Sequence, residues 1–165
     1  MSLAASLIGI LRAHSHTLSF CESLTAGLAC ATVADVSGAS AVLRGGLVTY
    51  ATDLKGSLAG VPAEVLAAHG PVSPVTAEHM ARGARRVCGS DWAVALTGVA
   101  GPTPQDGHPV GEVYVAVAGP MRTITVHAPK VDGDRQIIRK AAVTASLEAL
   151  EREIREWEQK EGMVR

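Results

Sequence analysis

Apolar residues recur at Leu3, Leu7, Ile8 and Leu11, the spacing of one helical face, which predicts an amphipathic helix over residues 2–13. Residues 17–21 are short, β-prone and apolar and read as a strand. It runs into the polar turn Glu22-Ser23-Leu24-Thr25-Ala26-Gly27 and then an alanine-rich helix over 28–36. Turn chemistry at Ser37-Gly38-Ala39-Ser40 separates that helix from a strand over 41–50, in which Gly45-Gly46 predicts a bulge or a close backbone approach. A short helix is expected from about Asp53. Pro62 and Gly70 bracket another helix, and Ser73-Pro74 and Gly89 a longer one.

Residues 92–97 form an apolar run suited to a buried strand, followed by a long loop over 98–109 carrying three Pro and three Gly. Residues 111–118 and 121–128 read as strands joined only by Gly119-Pro120, too short a link for a crossover helix, so they pair antiparallel. The earlier strands alternate with helices, as parallel strands do. The expected architecture is therefore a three-layer α/β/α fold around a mixed parallel and antiparallel sheet. A closing helix from about Asp132 carries Val143, Leu147, Leu150, Ile154 and Trp157 as a core stripe, with Glu148 and Arg152 on its solvated face. No repeat or linker interrupts the pattern, which predicts a single domain over 1–165 with a tail frayed from about residue 160.

Composition narrows the functional classes. Two Trp, two Tyr and one Phe among 47% hydrophobic residues mean a core of small aliphatic side chains and close helix–sheet packing. Fifteen Lys and Arg against sixteen Asp and Glu give a net charge of −1, which argues against a nucleic-acid partner. Cys21, Cys30 and Cys88 are odd in number and form no CxxC pair, so neither a disulfide framework nor a structural zinc site is expected. Six scattered His, among them His108 in the glycine-rich loop, show no metal-ligand spacing. With no signal peptide and no long uncharged apolar run, no membrane association is expected and a reducing cytoplasm fits.

Three segments are able to carry chemistry. At Glu22 to Gly27, a polar turn between strand and helix offers backbone N–H groups to an anion, with Ser23 and Thr25 adding hydroxyls; a simple helix cap by either residue is the structural alternative. Ser40, Tyr50 and Lys55 form a second set, because a lysine that loses its proton on burial can act as base for a serine nucleophile. A turn residue, a strand-end aromatic and a solvated lysine are the bland reading of the same three. At Thr97-Gly98-Val99-Ala100-Gly101-Pro102, glycines after a buried strand suit an oxyanion or ligand loop.

Taken in order, Glu22 to Gly27, Gly38-Ala39-Ser40, Gly45-Gly46 with Val48-Thr49-Tyr50 and Lys55, Gly70-Pro71-Val72-Ser73, Thr97 to Pro102 and Pro109-Val110-Gly111 make the chain resemble the CinA C-terminal domain family. The resemblance implies a nicotinamide-nucleotide amidohydrolase in its stand-alone form, converting nicotinamide mononucleotide to nicotinate mononucleotide and ammonia without a cofactor or metal. On this analogy Ser40 attacks, Lys55 is the base and Tyr50 positions or relays a proton, with Ser23 the rival nucleophile. Substrate contacts are expected from Glu22, Ser23, Thr25, Gly27, Gly46, Thr97, Gly98, Gly101 and Arg139. A departure is that Leu24 and Ala26 stand where the family commonly has Cys and a second Gly. A noncatalytic nucleotide-binding module, or a serine amidohydrolase for a related amide-bearing nucleotide, are the competing readings; a homodimer or higher homo-oligomer is the expected assembly.

Overall fold

The computed structural model describes residues 1–164, with helices and strands in both halves of the chain. The order is α1 (Leu3–Ala13), β1 (Leu18–Glu22), α2 (Leu28–Ala34), a single 3₁₀ turn (Ala39–Ala41), β2 (Leu43–Val48), α3 (Thr52–Ser57), α4 (Ala63–His69), α5 (Pro74–Cys88), β3 (Trp92–Gly98), β4 (Val113–Ala118), β5 (Thr123–His127) and α6 (Arg135–Val164). Helix α1 begins where the Ser2 hydroxyl accepts the Ala5 amide, and α5 where Ser73 accepts Thr76, with Pro74 at its first position.

The five strands lie in the order β2-β1-β3-β4-β5; β1 pairs parallel with both β2 and β3, and the β3–β4 and β4–β5 pairs are antiparallel. The mixed three-layer architecture expected from the pattern is the one found. From β1 the chain reaches β2 through α2 on one face, then crosses back to β3 through α3, α4 and α5. The first connection leads from β1 to its neighbour on one side and the second passes β1 to reach its neighbour on the other, which opens a crevice at the carboxyl ends of β1 and β3.

Strand alternation sorts the core into two chemically different faces. Leu18 and Phe20 of β1, Trp92, Val94 and Leu96 of β3, and Val113, Val115 and Val117 of β4 lie under α1, α2 and α6. On the reverse, Cys21, Ala93, Ala95, Ala116 and Ala118 lie under Ala77, Met80, Ala81 and Ala84 of α5. With so little side chain between them, helix and sheet approach closely, and Gly83 of α5 meets the loop after α3 directly. A Cβ there would stand 1.8 Å from the Ala59 carbonyl oxygen.

Boundaries differ from the sequence reading for local reasons. Strand β2 is shorter than 41–50 because residues 39–41 wind into the 3₁₀ turn and the chain leaves the sheet after Val48. The irregularity expected at Gly45-Gly46 is a register shift: Leu18 faces Leu43 and Ser19 faces Gly45. Strand β4 begins two residues late because the Gly111 amide turns to the Val99 carbonyl, 2.8 Å away. Helix α6 starts behind Asp134, whose Oδ1 accepts the Ile137 amide at 2.9 Å, and runs through Val164; the tail expected to fray ends at Arg165, which lies outside the described residues. Val143, Leu147, Leu150, Ile154 and Trp157 face the chain's own core. Among the described residues no helix is long and apolar enough to cross a membrane.

Candidate active site

At the carboxyl end of β1 the chain continues into the turn 23–27. The Ser23 amide donates to the Leu96 carbonyl (2.9 Å), the Ala26 amide returns to the Ser23 carbonyl (3.1 Å) and the Leu28 amide to the Thr25 carbonyl (3.0 Å). Ala26 adopts φ +49° and Gly27 φ +100°. For an alanine the left-handed region costs roughly 1–2 kcal/mol, so the turn must be held by its surroundings. Glu22 lies beneath it, 1% exposed, with its carboxylate accepting the Ala29 (2.8 Å) and Cys30 (3.0 Å) amides. The first turn of α2 is thereby occupied by the protein's own anion, which satisfies free helix N–H groups and complements the helix dipole. It is not the open phosphate cradle that the sequence suggests.

The second wall follows from strand register. Glu22 of β1 faces Val48 of β2, and the Thr49 amide donates to the Glu22 carbonyl (2.9 Å), so the segment entering α3 lands beside the β1 turn. Lys55, on α3, is 1% exposed; its Nζ lies 2.7 Å from the Thr49 carbonyl oxygen and 2.9 Å from Ser23 Oγ. Burial pushes the Lys55 amine down from 10.5 to about 8, because the ammonium loses its hydration. No ion pair of the described residues involves it. Cys21 lies close by, its Sγ 3.5 Å from Thr49 Oγ1; burial pushes this thiol up to about 11, and its Coulombic coupling to Lys55 partly offsets the downward push of burial on the amine.

The third wall is the loop after β3. A cleft of about 300 Å³ is lined by Ser23, Leu24, Tyr50, Lys55, Thr97 and Arg135 together with Gly98 to Gly101. Thr97 Oγ1 donates to the Pro71 carbonyl (2.6 Å), tying this wall to the chain before α5. Gly98 packs where a Cβ would sit 2.4 Å from the Glu112 carbonyl oxygen. Arg135 bridges the mouth, donating to the Tyr50 hydroxyl (2.6 Å) and the Gly101 carbonyl (2.5 Å). His108 stands behind this loop with Nδ1 2.9 Å from Glu112 Oε2, not among the lining residues.

The structure brings together Ser23, Tyr50, Lys55, Thr97, Gly98 and Gly101 and leaves the other predicted site residues outside the cleft lining. Ser40 is exposed in the 3₁₀ turn that precedes β2, whereas Tyr50 and Lys55 follow β2. A six-residue strand spans roughly 20 Å, so the expected Ser40–Lys55 pair is corrected to Ser23–Lys55. Thr25 is wholly buried and its hydroxyl has no partner among the described residues; Gly27 opens α2; and Gly46 packs on α2, with a Cβ there 3.2 Å from Cys30 Sγ. Arg139 is turned toward the backbone, its Nε and Nη2 each 2.9 Å from the carbonyl oxygens of Leu24 and Thr25. Its neighbour one helical turn earlier, Arg135, is the cleft residue that sequence reasoning passed over; the four-residue spacing was the available signal.

A serine hydroxyl held against an amine of lowered proton affinity can act as a nucleophile–base pair. Among the described residues no cluster of three or more His, Cys, Asp or Glu is placed to hold a metal ion. The family profile described as CinA C-terminal domain matches residues 1–154. A CinA-like protein from Frankia casuarinae is 45% identical over 151 residues, which cover 92% of this chain and 35% of that protein. The chain spans about a third of the length of the curated relatives it matches. Among solved structures, the competence/damage inducible protein CihA from Agrobacterium tumefaciens is 36% identical with a TM-score of 0.86, covering 90% of this chain and 91% of that one. The competence damage-inducible protein A from Klebsiella pneumoniae is 31% identical with a TM-score of 0.90, covering 94% and 96%.

Proposed function

We propose that this chain, which belongs to the CinA C-terminal domain family, is an amidohydrolase that takes the carboxamide of nicotinamide mononucleotide and releases ammonia. The observation that carries the reading is the 2.9 Å contact between Lys55 Nζ and Ser23 Oγ inside the cleft. In the neutral amine, one N–H still donates to the Thr49 carbonyl while the lone pair accepts the Ser23 hydroxyl proton. Ser23 Oγ then bonds to the carboxamide carbon, and negative charge develops on its oxygen. The amide of Leu24, the residue following the nucleophile on a strand-to-helix turn, is the candidate donor to that oxygen. Lys55 passes its proton to the leaving nitrogen, the C–N bond breaks and ammonia departs. Water, deprotonated by the same amine, cleaves the acyl–serine ester to the acid.

A pyridinium substrate suits this pair on electrostatic grounds. Its fixed positive charge disfavours the ammonium form of Lys55 and withdraws electrons from the carbonyl under attack. The exposed Arg135 at the mouth is the cation to meet the substrate's phosphate, and Tyr50 shares that position. Ammonia release is the test, measured across nicotinamide mononucleotide, nicotinamide riboside and the dinucleotide. The expected result is highest kcat/KM on the mononucleotide. Tight binding of the mononucleotide without ammonia would replace the enzyme reading with a binding module, and preference for another amide would replace the substrate.

A further inference from the structure

We infer that Arg139 is a positioning residue for the nucleophile, acting on the Ser23 turn from outside the cleft rather than touching substrate. The inference rests on the Ser23–Lys55 reading above. Three consecutive carbonyls of the turn are occupied: that of Ser23 takes the Ala26 amide, that of Thr25 takes the Leu28 amide and Arg139 Nη2, and that of Leu24 takes Arg139 Nε. The Leu24 carbonyl has no other donor among the described residues. In a planar trans peptide the N–H lies opposite the C=O, so fixing these two carbonyls also fixes the amides of Thr25 and Ala26.

The arginine is suited to this in a way that a single point charge is not, since its planar fork presents two N–H groups to two consecutive oxygens. Ala26, held at φ +49°, is where the turn would relax if the fork were removed. Ser23 Oγ sits three residues before it and depends on the same hydrogen bonds for its 2.9 Å approach to Lys55. A shift of about 1 Å in a reacting atom costs on the order of 100-fold in rate. Both contacting nitrogens face backbone, and Arg139 is absent from the cleft lining, so a direct role in holding phosphate is not where this guanidinium is directed.

The test compares the unaltered protein with Arg139→Ala, Arg139→Lys and Ser23→Ala, using two readouts. One is steady-state ammonia release from nicotinamide mononucleotide. The other is the rate at which a fluorophosphonate probe labels Ser23, followed by intact mass; the serine oxygen bonds to phosphorus, fluoride leaves and Lys55 takes the proton. Both Arg139 variants should lose roughly 10–100-fold in kcat and in labelling rate with KM within about twofold, and guanidinium ions should restore part of the Ala variant's rate. A raised KM with kcat preserved marks a substrate contact and overturns the inference, as does unchanged labelling. Should the Ala variant fail to fold, Lys, which keeps stem and charge, decides alone. If the unaltered protein labels at Ser23 but leaves the mononucleotide intact, the substrate reading fails and the labelling rates still judge Arg139. If it does neither, the Ser23–Lys55 reading falls and takes the inference with it.

Discussion

Two serine-bearing turns flank the strands of the parallel half of the sheet, and they differ in everything but composition. The turn after β1 holds Ser23 almost buried, against a desolvated amine, in a backbone fixed by Glu22 below and Arg139 behind. The turn before β2 holds Ser40 exposed in one 3₁₀ turn after Gly38, whose φ of +90° suits a glycine. In the first turn an alanine as well as Gly27 takes the left-handed conformation, and the neighbouring side chains must hold the alanine there. On the proposed reading, a hydroxyl becomes a nucleophile through a base within hydrogen-bonding distance and a backbone held in place, not through its place in a Gly-Ser motif.

The sharpest way to break this contrast is to remove each hydroxyl in turn. Ser23→Ala should lower kcat by at least about 1,000-fold, since the covalent route is lost. Ser40→Ala should leave kcat within twofold and stability within about 0.5 kcal/mol, as for other surface substitutions. Steady-state ammonia release and a urea melt read both, and the reverse pattern would return the nucleophile to the second turn.

The next effect is that of pH through Lys55. In the proposed mechanism the neutral amine is the active form, so kcat/KM should rise with pH and level off above about 8. Stability should move the same way over a different window. Between about 8 and 10.5 the unfolded chain binds more protons at this lysine than the folded one, so folding becomes more favourable as pH rises through that interval; below about 8 both states are charged and the cost of burial is constant. Lys55→Met should abolish turnover and flatten this segment of the stability profile, read by thermal melts from pH 7 to 10.5.

The smallest effect probes strain. Ala26→Gly should stabilise the fold by about 0.5–1 kcal/mol, the relief of a left-handed alanine less the added freedom of the unfolded chain. Activity should stay within about threefold, because the hydrogen bonds that fix the turn are kept. A destabilised Ala26→Gly variant would show that the alanine methyl contributes contacts that outweigh its backbone cost.

Much of the fold was legible in the sequence because its signals are local. Short apolar, β-prone runs marked β1 and β3, Pro and Gly bracketed α4 and α5, and the two-residue Gly119-Pro120 link set the antiparallel pairing of β4 with β5. Family motifs also located the cleft's walls. What they did not reveal is which serine meets the lysine, because that depends on the parallel register of β1 and β2. The family resemblance favoured Ser40, fifteen positions from Lys55; pairing of Glu22 with Val48 favours Ser23, thirty-two positions away. Glu22 and Arg139 misled for a related reason. Each is a charged residue near the site, yet each is directed to backbone atoms, a distinction carried by side-chain orientation alone.

The contact between Gly83 and the Ala59 carbonyl bears on how the proposed catalytic pair is mounted. The loop that begins at Ala59 also donates the Val61 amide to the carbonyl of Lys55 itself (3.0 Å), so the base is anchored to α5 by main chain touching main chain. Rotamer adjustments in the alanine-lined layer have little leverage over such a mount, while one added carbon at residue 83 would have to lift the platform as a unit. The small side chains on that face thus act as a gauge, setting by their thinness the height at which the amine stands.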